Sequence, residues 1–413
     1  MMATNIIDFQ NCFIFIFLCF FSLLCYTLFF RKPKDFTLPP SPLSLPIIGH
    51  LHLLLSVLIH RSLQKLSSKY GYILYLRIFS SPIVLVSSAS VAYEIFRAHD
   101  VNISSRGFPP SEDSLFAGSS SFISAPYGDY FKFMKKVLVT NLLGTQALKR
   151  SRRVRADELD RFYNNLYEKA VKKETVEIFE EVLNLTWTCC WQVMETKMQR
   201  IRSLGTISNR FMWHYHAGTN TMDIGRDHQQ PQDTWRLRRE LDSVVGTTRL
   251  IQETDLPNLP YLQAVVKEGL RLHPPEPIFE RFSQEGCRVG GFYVPEKTTI
   301  MVNAYAVMRD PKYWADPDEF KPERFLDTWQ KEERKEQALK YIPFGRGRRG
   351  CPGENLAYIF IGTAIGVMVQ GFEWKFKEEK VNMEEVVVGL SLSMTHPLKC
   401  TPVARTLNPL ILN

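Results

Sequence analysis

A glycine- and arginine-rich decapeptide, FGRGRRGCPG at residues 344–353, sets narrow limits on how this chain can fold. The stretch that follows, ENLAYIFIGTAIGVMVQGF, is apolar on nearly every side, which predicts a deeply buried helix. Glycines permit tight turns and let a bulky, flat group approach the backbone. The decapeptide is therefore either a basic, flexible surface loop or a cradle that holds a metal-bound thiolate where a buried helix begins.

The single cysteine of this loop, Cys351, carries its chemistry. A cysteine binds metal as the thiolate, and the neighbouring Arg346, Arg348 and Arg349 favour that anion. Pro352 suits the first turn of a helix, whose positive end would then point at the sulfur. Structural zinc needs four ligands, and no CxxC or CxxxH partner accompanies this cysteine. A cysteine in a glycine-rich loop before a helix is instead the arrangement for axial ligation of haem iron.

The N-terminus predicts a membrane anchor. Residues 12–30, CFIFIFLCFFSLLCYTLFF, carry no charge over 19 residues, about the length of one bilayer-spanning helix. The basic RKPK that follows should stay on the cytoplasmic side, since only Asp8 is charged before the apolar run. A cleaved signal peptide is the alternative, and it fits poorly because basic residues before the run and a small-residue cleavage site are both missing.

Three segments are expected along the chain. Residues 1–30 are the anchor, and residues 31–49, which include LPPSPLSLP, form a stiff proline-rich hinge. Residues 50–413 form the haem-binding domain on the cytoplasmic side. The eight cysteines lack the spacing of a disulfide framework, which favours reduced thiols over a secreted, disulfide-bonded protein.

The local patterns predict a domain that is mainly α with small β-sheets. Helical spacing occurs in RSLQKLSSKYG, in SVAYEIFRAHD and over residues 156–185, which read as one long amphipathic helical region. YLQAVVKEGLRL is a helix that Pro274 and Pro275 end. YILYLRIF and SPIVLVSS are rich in β-branched and aromatic residues and predict two paired strands.

The decapeptide resembles the haem-binding signature of the cytochrome P-450 family, F-x-x-G-x-R-x-C-x-G. Phe344, Gly347, Arg349, Cys351 and Gly353 fit it at every fixed position. The resemblance implies the fold of that family, with haem b as cofactor and Cys351 as the axial ligand of its iron. It further implies that Arg349 pairs with a haem propionate, that Phe344 packs near the sulfur, and that Gly353 belongs to the cofactor-binding loop.

A second motif supports this resemblance. Glu268 and Arg271 stand three residues apart in KEGLRL and so share one helix face. Alone, such a pair is most often exposed and contributes a few tenths of a kcal/mol. FKPERF, however, places Arg324 where the family has its second arginine. The resemblance implies a buried Glu–Arg–Arg network that supports the cysteine loop and takes no part in catalysis.

Two further segments bear on haem and substrate binding. The resemblance implies that Arg281 reaches a haem propionate and that Phe279 borders the substrate, the alternative being an exposed charge on a strand. In YGDYFKFMKK the family has tryptophan and, four residues on, arginine, both near a propionate; here Phe131 and Lys135 stand there. Lysine keeps the charge but loses the bidentate fork, and phenylalanine loses the indole N–H. Lys135 is therefore expected to bind the cofactor more weakly.

The oxygen-activating motif departs from the family pattern. AGTNTM, residues 217–222, stands where the family has A-G-x-[DE]-T-[ST] in a long helix, and a simple polar turn is the alternative. The resemblance implies that Thr221 and Asn220 are the catalytic pair that manages protons for bound dioxygen. Asn220 cannot ionise, however, so it cannot shuttle a proton as a carboxylate does.

The chain is shortened around residues 185–235. After Met222, DIGRDHQQPQDTW contains a proline and almost no apolar residues, so no helix of useful length can continue through it. By comparison with the family, a long segment is missing here. The P-450 fold is therefore expected to be incomplete in the distal helices that roof the substrate pocket, as in an internally deleted or mis-spliced product.

The resemblance implies a monooxygenase that inserts one atom of O2 into a small lipophilic plant metabolite, with electrons from an NADPH-cytochrome reductase at the endoplasmic-reticulum membrane. Arg346 and Arg348 could form a basic patch that docks the reductase, or could simply be solvated. The competing hypothesis is a non-catalytic or unstable membrane-anchored haem-binding remnant. Nucleic-acid binding by GRGRRG is not expected, because the basic run is short and has no interleaved aromatics.

Overall fold

The computed structural model describes residues 13–22, 37–106, 125–198, 231–326, 340–377, 382–388 and 391–405. Over this part of the chain the predicted class, mainly α with small β-sheets, is confirmed. Residues 13–22 are helical. The other described α-helices longer than four residues are α1 Ile59–Tyr70, α2 Ala89–Ala98, α3 Asp129–Leu138, α4 Thr145–Arg150, α5 Arg152–Lys172, α6 Ile178–Met198, α7 Pro231–Val244, α8 Pro260–Leu272 and α9 Glu354–Gly371.

The strands are short and fall into four small sheets within the described residues. They are β1 Ile73–Ile78, β2 Ser81–Val86, β3 Val176–Glu177, β4 Ile278–Phe282, β5 Cys287–Val289, β6 Phe292–Val294, β7 Thr299–Asn303, β8 Phe372–Phe376, β9 Glu385–Val388, β10 Ser391–Met394 and β11 Lys399–Ala404.

The largest sheet places one of the predicted haem-binding residues. Its strand order is β1-β2-β7-β4, and β1 pairs with β2 as the antiparallel hairpin that the sequence predicts. β2 runs parallel to β7, with Val84 opposite Ile300. β4 closes the other edge and sets Arg281 opposite Ile300 as well. The sheet thereby fixes the position of Arg281 relative to the hairpin.

The long helical region predicted over residues 156–185 is wrong in one respect. The chain leaves α5 at Lys173, which adopts the left-handed conformation (φ 56°), and re-enters a helix at Ile178. Between them, β3 pairs with β11, so that Val176 lies opposite Cys400. A contact with the far end of the chain interrupts the helix, and local periodicity cannot report such a contact.

Helix α9 is the centre of the core, as predicted. Its residues from Phe360 to Gly371 are all buried, and it packs against α5, α7 and α8. A helix buried on every side has no solvent-facing stripe, which is why ENLAYIFIGTAIGVMVQGF lacks amphipathic spacing. The cysteine loop therefore joins the most enclosed element of the fold.

Of the apolar N-terminal run at residues 12–30, the structure describes residues 13–22. Within the described residues, no helix combines the length and the apolar character that crossing a bilayer requires.

The carboxylate of Glu385, at the start of β9, joins two distant helices in a buried ion network. It accepts hydrogen bonds from the guanidinium of Arg61 in α1 and from Nδ1 of His273, which follows α8, and Nε2 of His60 lies 3.9 Å away. Burial by itself would raise the pKa of this carboxyl, but the hydrogen bond of His273, the nearby ring of His60 and the positive charges around it hold its pKa well below the usual range. The anion is therefore a structural tie between these helices and the β9–β10 hairpin.

Replacing Glu385 by glutamine should lower the free energy of unfolding at pH 7 by about 3 kcal/mol, because the half-exposed Arg61 and the buried His273 lose the buried carboxylate that both bind. A depressed carboxyl pKa stabilises the fold fully above the unfolded pKa of about 4.3, and this contribution is lost as the pH falls further. The difference between wild type and variant should therefore shrink below about pH 4. Denaturant unfolding against pH measures it, and Glu384→Gln at the exposed neighbouring residue is the control. Equal losses in both variants would contradict the prediction.

Candidate haem site

The cysteine loop is a tight turn that its own backbone closes. Residues Gly347–Arg349 form one turn of 3-10 helix, and the N–H of Cys351 donates to the carbonyl of Phe344 at 3.0 Å. Helix α9 begins at Glu354, so Pro352 precedes its first turn and does not occupy it as the sequence predicts. The backbone of Gly353 hydrogen-bonds the cysteine sulfur. The sulfur thus sits at the start of the buried helix.

The sulfur is nevertheless not made acidic by its neighbours. Burial raises the pKa of the Cys351 thiol above its ordinary value, although the Gly353 hydrogen bond lowers it. That the loop arginines favour the thiolate stays a prediction, and two of them have hydrogen-bond partners other than the sulfur. Arg346 donates to the carbonyl of Tyr341 at 3.0 Å, and Arg348 donates to the hydroxyl of Tyr127 at 2.7 Å. A cationic metal at the sulfur would supply the missing stabilisation of the anion.

Position 347 requires a glycine for two reasons, its backbone conformation and the nearness of the Asp100 side chain. Its φ of 74° is left-handed, and a Cβ at this position would overlap the carboxylate of Asp100. That carboxylate accepts hydrogen bonds from the N–H of Arg348 at 3.0 and 3.1 Å. The glycine of the signature therefore allows a side chain that follows α2 to reach the loop backbone.

Gly347→Ala should destabilise the loop and lower the haem content of the purified protein. The left-handed conformation costs an alanine about 1 to 2 kcal/mol, and the methyl group displaces the Asp100 carboxylate as well. Gly246→Ala is a matched control, because Gly246 has a φ of 82° with nothing within 4 Å of its would-be Cβ. The haem-to-protein ratio checks the prediction. If both variants retain haem equally, the Asp100 contact has no role in holding the loop.

Buried cations gather beside the loop. Arg281 and Arg349 are 3% and 7% exposed, so the alternative reading of Arg281 as an exposed strand charge is wrong. Burial, and then the positive charge of Arg106, lowers the pKa of Arg281 to about 9 and the pKa of Arg349 to about 10. The Nε of Arg106 is buried and has no hydrogen-bond partner. A methyl group at Gly345 would lie 3.6 Å from Nη2 of Arg281, which places this cation against the cysteine loop.

These residues fit a haem group. Buried cations that lower one another's pKa are held at a cost in free energy, and an anion between them would relieve it. Haem carries two propionate carboxylates as well as an iron that takes a cysteine thiolate as axial ligand. The unpaired Nε of Arg106 and the glycine-lined approach to Cys351 suit those two parts of one cofactor.

Phe131 and Lys135 lie on α3 beside the same loop. The guanidinium of Arg349 lies 3.9 Å from the centre of the Phe131 ring. The Nζ of Lys135 donates to the carbonyls of Arg348 at 2.6 Å and of Gly350 at 3.3 Å. Burial lowers the pKa of Lys135, although the charges of Cys351 and Asp100 oppose that shift. Both departures from the family pattern thus contact the cysteine loop itself.

The predicted Glu–Arg–Arg cluster forms in full. Glu268 and Arg271 are completely buried, and two hydrogen bonds of 2.7 and 2.9 Å join them. The Nε of Arg324 lies 3.3 Å from Oε1 of the same carboxylate. Arg271 also donates to the carbonyl of Met308 at 2.9 Å and of Pro317 at 2.7 Å. The alternative reading, an exposed surface pair, is wrong.

A run of aromatic rings connects this cluster to the cysteine loop. The Arg271 guanidinium lies 5.2 Å from the Trp314 ring centre, and ring-to-ring contacts lead on through Phe325 to Tyr341. The Tyr358 hydroxyl donates to the hydroxyl of Tyr341 at 3.1 Å, and the Tyr358 ring meets Phe344 edge-on at 5.4 Å. Because closely packed side chains transmit strain, a shift of Arg271 at one end of this run would reach Phe344 in the cysteine loop at the other end. The aromatic run therefore couples the Glu–Arg–Arg cluster to the loop.

Two of the predicted site residues cannot be placed. Asn220 and Thr221 lie outside the described residues, so the oxygen-activating pair stays a prediction. Conversely, sequence analysis missed Arg106 and Asp100. Neither belongs to a spaced motif, and both come to the site through the fold from the stretch that follows α2. Asp100 lies just after the end of α2, and nothing in the neighbouring sequence indicates that it contacts Arg348, which is 248 residues away.

A cysteine at the start of a buried helix, in a loop with buried arginines beside it, is the arrangement expected of a haem-thiolate protein. The cytochrome P450 family profile matches residues 39–201 and 228–399. The chain belongs to the cytochrome P450 family, whose members are monooxygenases with a haem iron cofactor. Residues 202–227, which include Asn220 and Thr221, lie between the two matched stretches.

Curated plant relatives match nearly end to end. Cytochrome P450 705A22 of Arabidopsis thaliana is 50% identical over 501 positions, covering 96% of this chain and 97% of the relative. Cytochrome P450 705A1 of the same plant is 50% identical over 510 positions, with 99% of each chain covered. The 3,9-dihydroxypterocarpan 6A-monooxygenase of Glycine max is 30% identical over 501 positions, covering 95% of this chain and 98% of the relative. Since this chain has 413 residues, it lacks a long internal piece of these relatives.

Proposed function

We propose that this chain is a haem-thiolate monooxygenase of plant secondary metabolism. It inserts one atom of O2 into a small lipophilic metabolite and receives electrons from an NADPH-dependent cytochrome reductase. The observation that carries the proposal is the Cys351 sulfur at the start of α9, beside the cations Arg106, Arg281 and Arg349. The plant relatives support the substrate class, since one of them is by name a monooxygenase of 3,9-dihydroxypterocarpan.

Haem b would be held at its iron and at its two propionates. Cys351 would ligate the iron, and Arg106, Arg281 and Arg349 would pair with the propionates. When bound, haem supplies the activation of dioxygen and the transfer of one oxygen atom. The protein contributes the Cys351 sulfur, which accepts a hydrogen bond from the Gly353 backbone, and the backbone N–H of Cys351 donates to the Phe344 carbonyl. Both contacts restrain the direction from which the thiolate donates its electrons.

The other site residues have supporting or untested roles. Glu268, Arg271 and Arg324 would support the cysteine loop through their ion pairs and take no part in catalysis. Thr221 and Asn220 would manage the protons that reach bound dioxygen, with the amide holding a water in place of an acid.

The proposed location is the endoplasmic-reticulum membrane, with residues 1–30 as a single-pass anchor, residues 31–49 as hinge and residues 50–413 in the cytoplasm. Support comes from apolar side chains that face solvent in the hinge and just after it. Leu43 is 90% exposed, and Leu55 and Val57 are each 76% exposed. Apolar side chains grouped near an anchor suit contact with a lipid surface.

The reductase would dock on the basic face around the cysteine loop. Arg346 and Arg348 are exposed there, and Lys132 and Lys136 are exposed on α3, whose Lys135 contacts the loop. Clustered positive charge attracts an acidic partner and speeds its association at low salt. The rate of reduction by the reductase should therefore fall steeply as ionic strength rises.

One observation favours a second candidate, a non-catalytic haem-binding remnant. The internal piece that the relatives have and this chain lacks is long, and the profile match breaks at residues 202–227, where the oxygen-activating pair is predicted. Haem could still bind at Cys351, because the contacts that hold the loop come from residues on both sides of the break.

Turnover in the presence of reductase separates the two candidates. The full chain and an NADPH-dependent reductase are placed in vesicles and supplied with heavy-isotope dioxygen and a panel of lipophilic phenols and terpenoids. The enzyme should give a product carrying one heavy oxygen atom, with NADPH consumed in step and no product from Cys351→Ser. Haem binding without a labelled product from any compound would favour the remnant.

A further inference from the structure

Asp100 holds the peptide that lies three residues before the haem-ligating cysteine. Both oxygens of its carboxylate accept the N–H of Arg348, at 3.0 and 3.1 Å, and one of them lies 3.3 Å from Nε of the same arginine. The Asp100 side chain is 22% exposed, so these charge-assisted contacts are partly shielded from water. A residue that follows α2 therefore fixes both the backbone and the side chain of Arg348.

Lys135 holds the same turn from helix α3. Its ammonium donates to the carbonyl of Arg348 at 2.6 Å and to the carbonyl of Gly350 at 3.3 Å. The second carbonyl belongs to the peptide that also carries the N–H of Cys351, and this N–H is bound to Phe344. Two of the three ammonium protons thus serve the backbone of the cysteine loop.

We propose that Asp100 and Lys135 form a clamp that sets the position of Cys351, and that Lys135 is a positioning residue of the loop and not an anchor for a propionate. The Asp100 carboxylate accepts the N–H of Arg348, and the Lys135 ammonium donates to the C=O of the same residue. The backbone therefore cannot rotate there without breaking a charged hydrogen bond. The proposal rests on the proposed function, in which Cys351 ligates haem iron.

The neighbouring substitution agrees with this assignment. Phe131, one helical turn before Lys135, receives the guanidinium of Arg349 on its ring at 3.9 Å. Arg349 also donates to the carbonyl of Ser104 at 2.5 Å. With an aromatic ring and an ammonium at these two positions, α3 contacts the cysteine loop and its arginine. Propionate binding then falls to the buried Arg281 and Arg349 and to Arg106, whose Nε is buried.

The two roles for Lys135 make different predictions in the protein without haem. A clamp holds the loop whether or not the cofactor is present, whereas a propionate anchor acts only in the loaded protein. Hydrogen exchange of the peptide that covers residues 344–353 therefore separates them. It is measured by mass spectrometry on the full chain in detergent micelles, before and after haem loading.

Asp100→Ala and Lys135→Met should each speed exchange of this peptide about tenfold or more in the haem-free chain, since each removes a charged hydrogen bond from its backbone. Lys135→Arg keeps the donors and should leave exchange within about twofold of wild type. Asp129→Ala and Lys136→Met, at exposed positions of α3, are the matched controls. Exchange of the α8 peptide reports whether a variant is folded, and a variant that fails this check is replaced by Asp100→Asn or Lys135→Gln.

Unchanged exchange in the haem-free variants, with an effect that appears only after loading, would overturn the clamp and return Lys135 to the propionates. In loaded protein the clamp predicts that both substitutions shift the reduced carbon monoxide band, because the thiolate is less firmly placed. A wild-type chain that takes up no haem would overturn the proposed function, while the exchange in the haem-free chain would still decide the clamp.

Discussion

Cys351→Ser is expected to abolish the thiolate-type spectrum of the haem-loaded protein while leaving the chain folded. The hydroxyl group is a much weaker ligand for iron than a thiolate, and no other cysteine among the described residues lies in the loop. The fold should survive, because Cys351 contributes a small side chain to a site that Phe344 and Gly353 hold through the backbone. Absorbance of reduced, carbon monoxide-bound protein gives the ligand, and circular dichroism gives the fold.

Cys287→Ser is the matched control for this prediction. Cys287 is half-buried on β5, and its sulfur lies 3.9 Å from the Ser283 hydroxyl. Its replacement should leave both the spectrum and the haem content as in the wild type. If the two serine variants have the same spectrum, Cys351 is not the ligand.

Glu268→Ala is expected to lower the free energy of unfolding by about 3 to 5 kcal/mol, because it leaves the completely buried Arg271 without its counter-charge. Arg324 loses the same partner, and so does the N–H of Lys321, which donates to this carboxylate at 2.8 Å. Since the aromatic run leads from Arg271 to the cysteine loop, haem content should fall as well. Denaturant unfolding and the haem-to-protein ratio measure the two effects.

Glu373→Ala provides the comparison for an exposed carboxylate. Glu373 is 61% exposed and lies 3.7 Å from Arg238, so its loss should cost less than about 1 kcal/mol. A Glu268→Ala protein with unfolding and haem content close to those of Glu373→Ala would show that the cluster does not support the loop.

Sequence patterns predicted the elements whose cause is local. The cysteine loop and the enclosed helix α9 follow from a ten-residue motif and from an apolar run with no polar face. The pairing of Glu268 with Arg271 follows from their spacing on one helix face. In each case the residues that decide the outcome lie within one turn or one motif.

Contacts between distant parts of the chain were outside the reach of those patterns. The break after Lys173 depends on the pairing of β3 with β11. The contacts of Arg348 with Asp100 and Tyr127 likewise join residues that are far apart in the sequence. Charge proximity in sequence does not decide which group a long side chain meets, because its flexible stem can reach several partners.

The reduced carbon monoxide difference spectrum of the full chain tests most directly whether Cys351 holds a haem iron through its sulfur. A thiolate-type band that is present in the wild type and in Cys287→Ser and missing in Cys351→Ser is the predicted result. A wild-type chain that binds no haem, or that shows a band without thiolate character after reconstitution, would contradict it.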